Sequence, residues 1–305
     1  MKGKLTYMLT CGLCLGLLAG VSCVKQGLDL REQEGYVRID LNWENGVVPE
    51  GSEFYFYTGA GEFVQSCKCS AKGFSGTLPM GDYKIVVWNT DARNVELCNM
   101  SKHATAEVRV VADEAAAGKA AGCIAQPDNL QFAAAFDEAE VMTVPYRDSV
   151  IMSASPRGRI KTVELVFKLD NAAAVKLLGG SLSGVSSGLQ CTTASCTHNP
   201  QNVNFTVTND PYGKYNYVAN ISVLDLVTPD ASGSHILTLT VMIDGVEHTM
   251  SIDLSSTIED LLEGEWGGVI PVEIPLEIDL KSVDGNLSAE VSPWDTTGSG
   301  SGELV

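Results

Sequence analysis

The sequence predicts an all-β fold with little helix, built as two sandwich-like halves in tandem. Three observations carry this: short runs that alternate apolar and polar residues recur along the chain, Asp-Gly pairs separate several of them, and helical periodicity is scarce. With 305 residues the chain has room for two domains of ordinary size.

The chain opens on an address rather than a fold. Lys2 and Lys4 precede the apolar run Leu5 to Ser22, which reads as a secretory signal ending at Cys23. The run is shorter than the roughly 20 apolar residues of a membrane span. Ser22-Cys23 looks like a bacterial lipobox junction, so residues 1–22 are expected to be removed and Cys23 to carry lipid. Gly20 departs from the usual Leu or Val of such a box.

In Tyr36 to Trp43, Val37, Ile39, Leu41 and Trp43 alternate with Arg38, Asp40 and Asn42, the pattern of a strand with one buried face. Phe54 to Tyr57 follows, then Tyr83 to Trp88 behind the turn Gly81-Asp82. Ala115 to Ala121 is alanine-rich but interrupted by Gly118. The joint is placed between Val144-Pro145 and Arg157, which gives an N-terminal domain over 23–148 and a C-terminal domain over 149–296. A Gly/Ser-rich tail, 297–305, closes the chain.

The C-terminal half starts with Val163, Leu165, Phe167 and Leu169 in alternation. Two helical pieces are expected, Ala172 to Leu178 and a turn opened by the capping pattern Ser256-x-x-Glu259. Leu237 to Ile243, Asp244-Gly245 and Val246 to Leu254 predict a hairpin. A second hairpin runs from Val272, Ile274, Leu276, Ile278 and Leu280 through Asp284-Gly285 to Leu287, Ala289 and Val291. Pro275 cannot donate to a ladder, so this strand is expected at a sheet edge, where it is either the docking strand for a partner or blocked by that proline.

Composition narrows function. A net charge of -18, more negative still once Lys2 and Lys4 leave, argues against nucleic acid, which needs a clustered basic surface. Of nine cysteines, Cys11 and Cys14 leave with the signal and Cys23 takes lipid. Cys191 and Cys196 bracket the polar loop CTTASC and could close it as a disulfide. Cys67, Cys69, Cys98 and Cys123 leave three connectivities open. Neither the cysteines nor His198 show zinc spacing, and no catalytic motif is present, so no metal, cofactor or enzymatic activity is expected. His248 shares the parity of Val246 and Met250, a half-buried position. Trp43 and Trp88 read as packing residues, while Trp266 in EGEWGG is the best exposed aromatic for stacking on a sugar.

Several segments together resemble the fimbrillin-like superfamily of Bacteroidetes, in particular its anchor-subunit (FimB-like) lipoproteins. They are the lipidated start at Cys23, Gly81 to Asn89, Gln126 to Leu130, Ser181 to Val185, the Asp244-Gly245 hairpin leading to Asp253-Leu254-Ser255-Ser256, and Trp294 near the end. The resemblance implies two transthyretin-like β-sandwich domains, an outer-membrane location held by the lipid, and a role anchoring a fimbria or serving as its accessory subunit, with other fimbrial subunits as partners. Processing at Arg31 or Arg38, as in shaft subunits, would discard the tether. A glycan-binding surface lipoprotein is the alternative, and a secreted hydrolase a distant third.

Overall fold

The computed structural model describes residues 33–46, 48–114, 123–170, 175–197, 200–227, 234–264, 270–283 and 286–293. The first run of strands is β1 (Glu34–Leu41), β2 (Ser52–Thr58), β3 (Phe63–Cys69), β4 (Gly73–Pro79), β5 (Gly81–Asn89), β6 (Val95–Cys98), β7 (Glu107–Val110), β8 (Cys123–Ile124), β9 (Gln131–Ala133), β10 (Met142–Val144), β11 (Ser149–Ala154) and β12 (Arg157–Gly158). The second is β13 (Lys161–Leu169), β14 (Val175–Ser186), β15 (Gly188–Gln190), β16 (Pro200–Thr206), β17 (Thr208–Asn209), β18 (Tyr217–Val223), β19 (Ile236–Ile243), β20 (Val246–Asp253), β21 (Glu273–Val283) and β22 (Asn286–Pro293), with helix α1 (Ser255–Glu263) between β20 and β21. The fold is all-β.

Two sheets make the first sandwich. Strands β11-β1-β4 face β12-β9-β5-β2-β3, and the apolar parity of each strand fills the space between. Val37 and Ile39 of β1 meet Phe54, Phe56, Ile85 and Val87 there, all fully buried. Strand β5 also buries Val86 on its other face, which packs into a second core together with Tyr57 and Phe132. The continuous apolar run Ile85-Val86-Val87-Trp88 is the mark of a strand covered on both sides.

That second core fills the C-terminal sandwich, where β17-β18-β13-β21-β22 faces β20-β19-β14-β16-β8. Helix α1 adds Ile258, Leu261 and Leu262 to it. Its start differs from the expected capping box, because Leu254 occupies the cap position without a side-chain bond and Asp253 accepts the Ser255 N–H at 2.9 Å. The Asp244-Gly245 hairpin forms as read. Its φ values of 52° and 81° are the two positive angles of a type I′ turn.

Pairing crosses the expected boundary at 148/149 in both directions. Strand β11 runs parallel to β1 and β12 pairs with β9, so residues 149–158 complete the first sandwich. In return β8 extends the sheet of β16, and β6-β7 take β15 as their third strand.

Three expectations are corrected. Residues 175–178 are strand, not helix: Val175 and Leu177 point into the core and pair with Ile243 and Val241, and this tertiary burial overrides the helix propensity of the alanine-leucine run. His248 is exposed, since β20 is an outer strand that pairs, among the described residues, only with β19. Strand β21 is interior rather than an edge, with β13 parallel on one side and β22 antiparallel on the other.

Proline is tolerated in β21 for a geometric reason. Thr162 donates to the Val272 carbonyl at 2.8 Å and Asp170 to the Leu280 carbonyl at 3.2 Å, so the even-numbered residues turn their backbone groups toward β13. Pro275 therefore turns toward β22, where pairing begins only at Leu276↔Pro293. Its missing donor falls outside the ladder.

Candidate functional site

The expected site residues do not converge. Cys23 lies outside the described residues, as do His198, Trp266 and Trp294. Of the expected docking residues, Ile274, Leu276 and Ile278 are core side chains and only Val272 is exposed. The six described cysteines are free thiols, Cys191 and Cys196 among them. Cys191 is buried beside Glu107 and Arg159, and burial pushes its thiol up to about 12. The Cys196 thiol instead donates to the Leu226 carbonyl at 3.6 Å. Trp43 donates to the Ala71 carbonyl at 2.6 Å and Trp88 to Glu53 Oε2 at 3.1 Å, so each is a packed tryptophan with a satisfied indole. No cluster of His, Cys, Asp and Glu suited to a metal occurs among the described residues, and no described helix is long and apolar enough to cross a membrane.

The structure assembles a cleft of about 380 Å³ where the two sandwiches meet. One wall is the end of β9 and the backbone after it, Ala133 to Asp137, held by the Asp137 N–H on the Ser153 carbonyl at 2.9 Å and by the His103 ring on the Ala134 carbonyl at 3.0 Å. The facing wall is the turn Cys191 to Ala194. Cys191 N–H donates to the Ala106 carbonyl at 2.8 Å, and Ala194 N–H to the Gln190 carbonyl at 2.8 Å. Thr193 Oγ1 donates to Gln190 Oε1 at 3.0 Å.

The floor is Ser155, Arg157 and Arg159. Two residues apart on extended backbone, both arginines point to one side, the side of Phe132, which is the cross-strand partner of Arg157. Arg159 N–H donates to the Leu130 carbonyl at 3.0 Å, and its guanidinium stacks 4.7 Å over the Phe132 ring. Burial, and then the neighbouring Arg157, hold its pKa below the ordinary arginine value, while Glu44 opposes this. Nothing in the sequence reading singled out these arginines; the signal available was the i, i+2 spacing in Pro156-Arg157-Gly158-Arg159.

No curated protein matches the chain. Among solved structures, a putative adhesin from Bacteroides ovatus ATCC 8483 superposes with a TM-score of 0.61 at 18% identity, covering 82% of this chain and 92% of that one. The fimbrial anchor protein Mfa2 from Porphyromonas gingivalis gives a TM-score of 0.51 at 14% identity, over 85% of this chain and 96% of that one. A putative polysaccharide binding protein (DUF1812) from Bacteroides thetaiotaomicron gives 0.51 at 10% identity, over 87% and 99%. At these identities the likeness is one of fold, and it bears out the resemblance to fimbrillin-like proteins at that level. A family profile matches residues 22–206, more than half of the sequence, and the chain therefore belongs to the family described as Domain of unknown function (DUF5119).

Proposed function

We propose that the chain is a non-enzymatic lipoprotein of the outer membrane, tethered through Cys23, that anchors a surface fimbria or serves as its accessory subunit. The observation that carries this reading is the fold shared with a fimbrial anchor protein over 85% of this chain and 96% of that one. The lipobox-like start supplies the second element, because several acyl chains on one cysteine hold a protein stably at a membrane. Its partners are other fimbrial subunits and the lipid surface. The functional units are the two sandwiches, the first extending past residue 148 through β11 and β12 and contributing β8 to the second.

A deletion strain tests the role, and Cys23→Ala tests the tether. Loss of the protein should alter fimbria number, length or retention. The Cys23 variant should move from membrane to soluble fractions. Unaltered fimbriae in the deletion strain would remove the anchoring function, and unchanged fractionation would remove the lipid.

A further inference from the structure

We infer that the cleft between the sandwiches is a binding site for a small organic carboxylate, received by the guanidiniums of Arg157 and Arg159. The site has the size for it: about 380 Å³ falls in the roughly 300–1,000 Å³ range of small-molecule pockets. It also has the charge, in a chain that is otherwise strongly acidic. Two guanidiniums share one floor, and neither makes an ion pair among the described residues. Arg159 Nε is shut away from solvent and has no hydrogen-bond partner. That atom lies out of a ligand's reach, so recognition falls to the terminal nitrogens of the guanidiniums, and a planar carboxylate is the group whose two oxygens fit such a fork.

The neighbouring carboxylates do not already fill this role. Asp137 Oδ2 accepts from Ser155 Oγ at 3.0 Å and Asn42 Nδ2 at 3.5 Å. Glu44 Oε2 accepts the Gly158 N–H at 2.7 Å, from outside the cleft lining. Asp137 is the one carboxylate in the cleft lining and Glu44 acts on Arg159 from outside it, so positive charge in the lining comes from the two guanidiniums against a single lining carboxylate. A carboxylate there would also relieve the repulsion between them. The ligand is compact, because the cleft offers about 380 Å³.

A sugar acid and a peptide C-terminus share this chemistry, and titration separates them. The full mature chain is titrated with D-glucuronate against glucose, and with N-acetylalanine against its amide, with sulfate as the anion control. One acid should bind at least about tenfold tighter than its neutral counterpart and than sulfate, and that acid names the source. Arg157→Gln, at an exposed position, should weaken it at least about tenfold, and Arg159→Lys likewise, since lysine cannot supply the fork. Absence of binding by both acids at about 10 mM, equal binding of acid and neutral partner, equal binding of sulfate, or undiminished binding by a folded Arg157→Gln each overturns the assignment.

Discussion

Gly184 and His235 are in contact of a kind only glycine permits: a Cβ on Gly184 would stand 2.6 Å from His235 Cδ2. Gly184 also has a φ of 75°, a left-handed conformation that side chains disfavour. Around it the chain is pinned, with Val227 N–H donating to the Gly184 carbonyl at 2.8 Å. Gly184→Ala should therefore destabilise the fold by about 2–4 kcal/mol, combining overpacking and backbone strain. Chemical denaturation measures it, and a loss below about 0.5 kcal/mol would show that the histidine can yield.

His235 itself is fully buried; among the described residues neither ring nitrogen makes a well-aligned hydrogen bond, and the Gly184 and Val227 backbone lies near enough to oppose the loss of its proton. Burial first of all depresses its pKa, so the folded chain holds it neutral at a pH where the unfolded chain takes up a proton. The unfolded state then binds more protons, and stability rises with pH. The contribution is complete above the ordinary histidine value of about 6.5 and is lost as pH falls below it. Denaturation midpoints between pH 7 and 5 should fall less steeply in His235→Gln than in the parent. Parallel slopes would assign the acid sensitivity elsewhere.

Cys67 and Cys69 sit on one face of β3 with their sulfurs 3.7 Å apart. Their shared hydrogen bond raises the pKa of Cys67 and lowers that of Cys69, which favours Cys69 as the attacking thiolate. Under diamide, which accepts two electrons and two protons to become the hydrazine, this pair should close first among the six described thiols. Non-reducing peptide mapping should find Cys67 joined to Cys69. Recovery of Cys191 joined to Cys196 as the first product would reverse the order.

The interior place of β21 separates packing from docking. Ile278 is fully buried, whereas Val272 is 67% exposed. Ile278→Ala should cost about 2–5 kcal/mol. Val272→Ala should stay within about 0.5 kcal/mol. Equal effects in thermal or urea unfolding would contradict the core position of the strand.

Legibility followed locality. The Asp244-Gly245 hairpin was readable because turn chemistry and strand parity act within one short window. Pro275 signals an edge in the sequence because the sequence shows a missing donor but not which neighbour it faces. Val175 to Leu178 read as helix because propensity is local while the burial that overrides it comes from β19. The cleft was invisible for the same reason. Arg159 meets the turn at Cys191 only through the exchange of strands between the halves, and no periodicity reports that.

The reciprocal loan of strands sets an order of assembly. The sheet of β6 and β7 lacks its third strand until residues 188–190 are present, and β8 has only its single bridge to Ala112 until β16 follows. β1 likewise waits for β11, more than a hundred residues downstream in the chain. Such distant pairings fold slowly and leave strand edges bare meanwhile. A chain threaded across a membrane amino end first would therefore emerge with its leading half unfinished, dependent on the trailing half to close it. Truncation after the first sandwich should give an aggregation-prone fragment rather than a smaller stable protein.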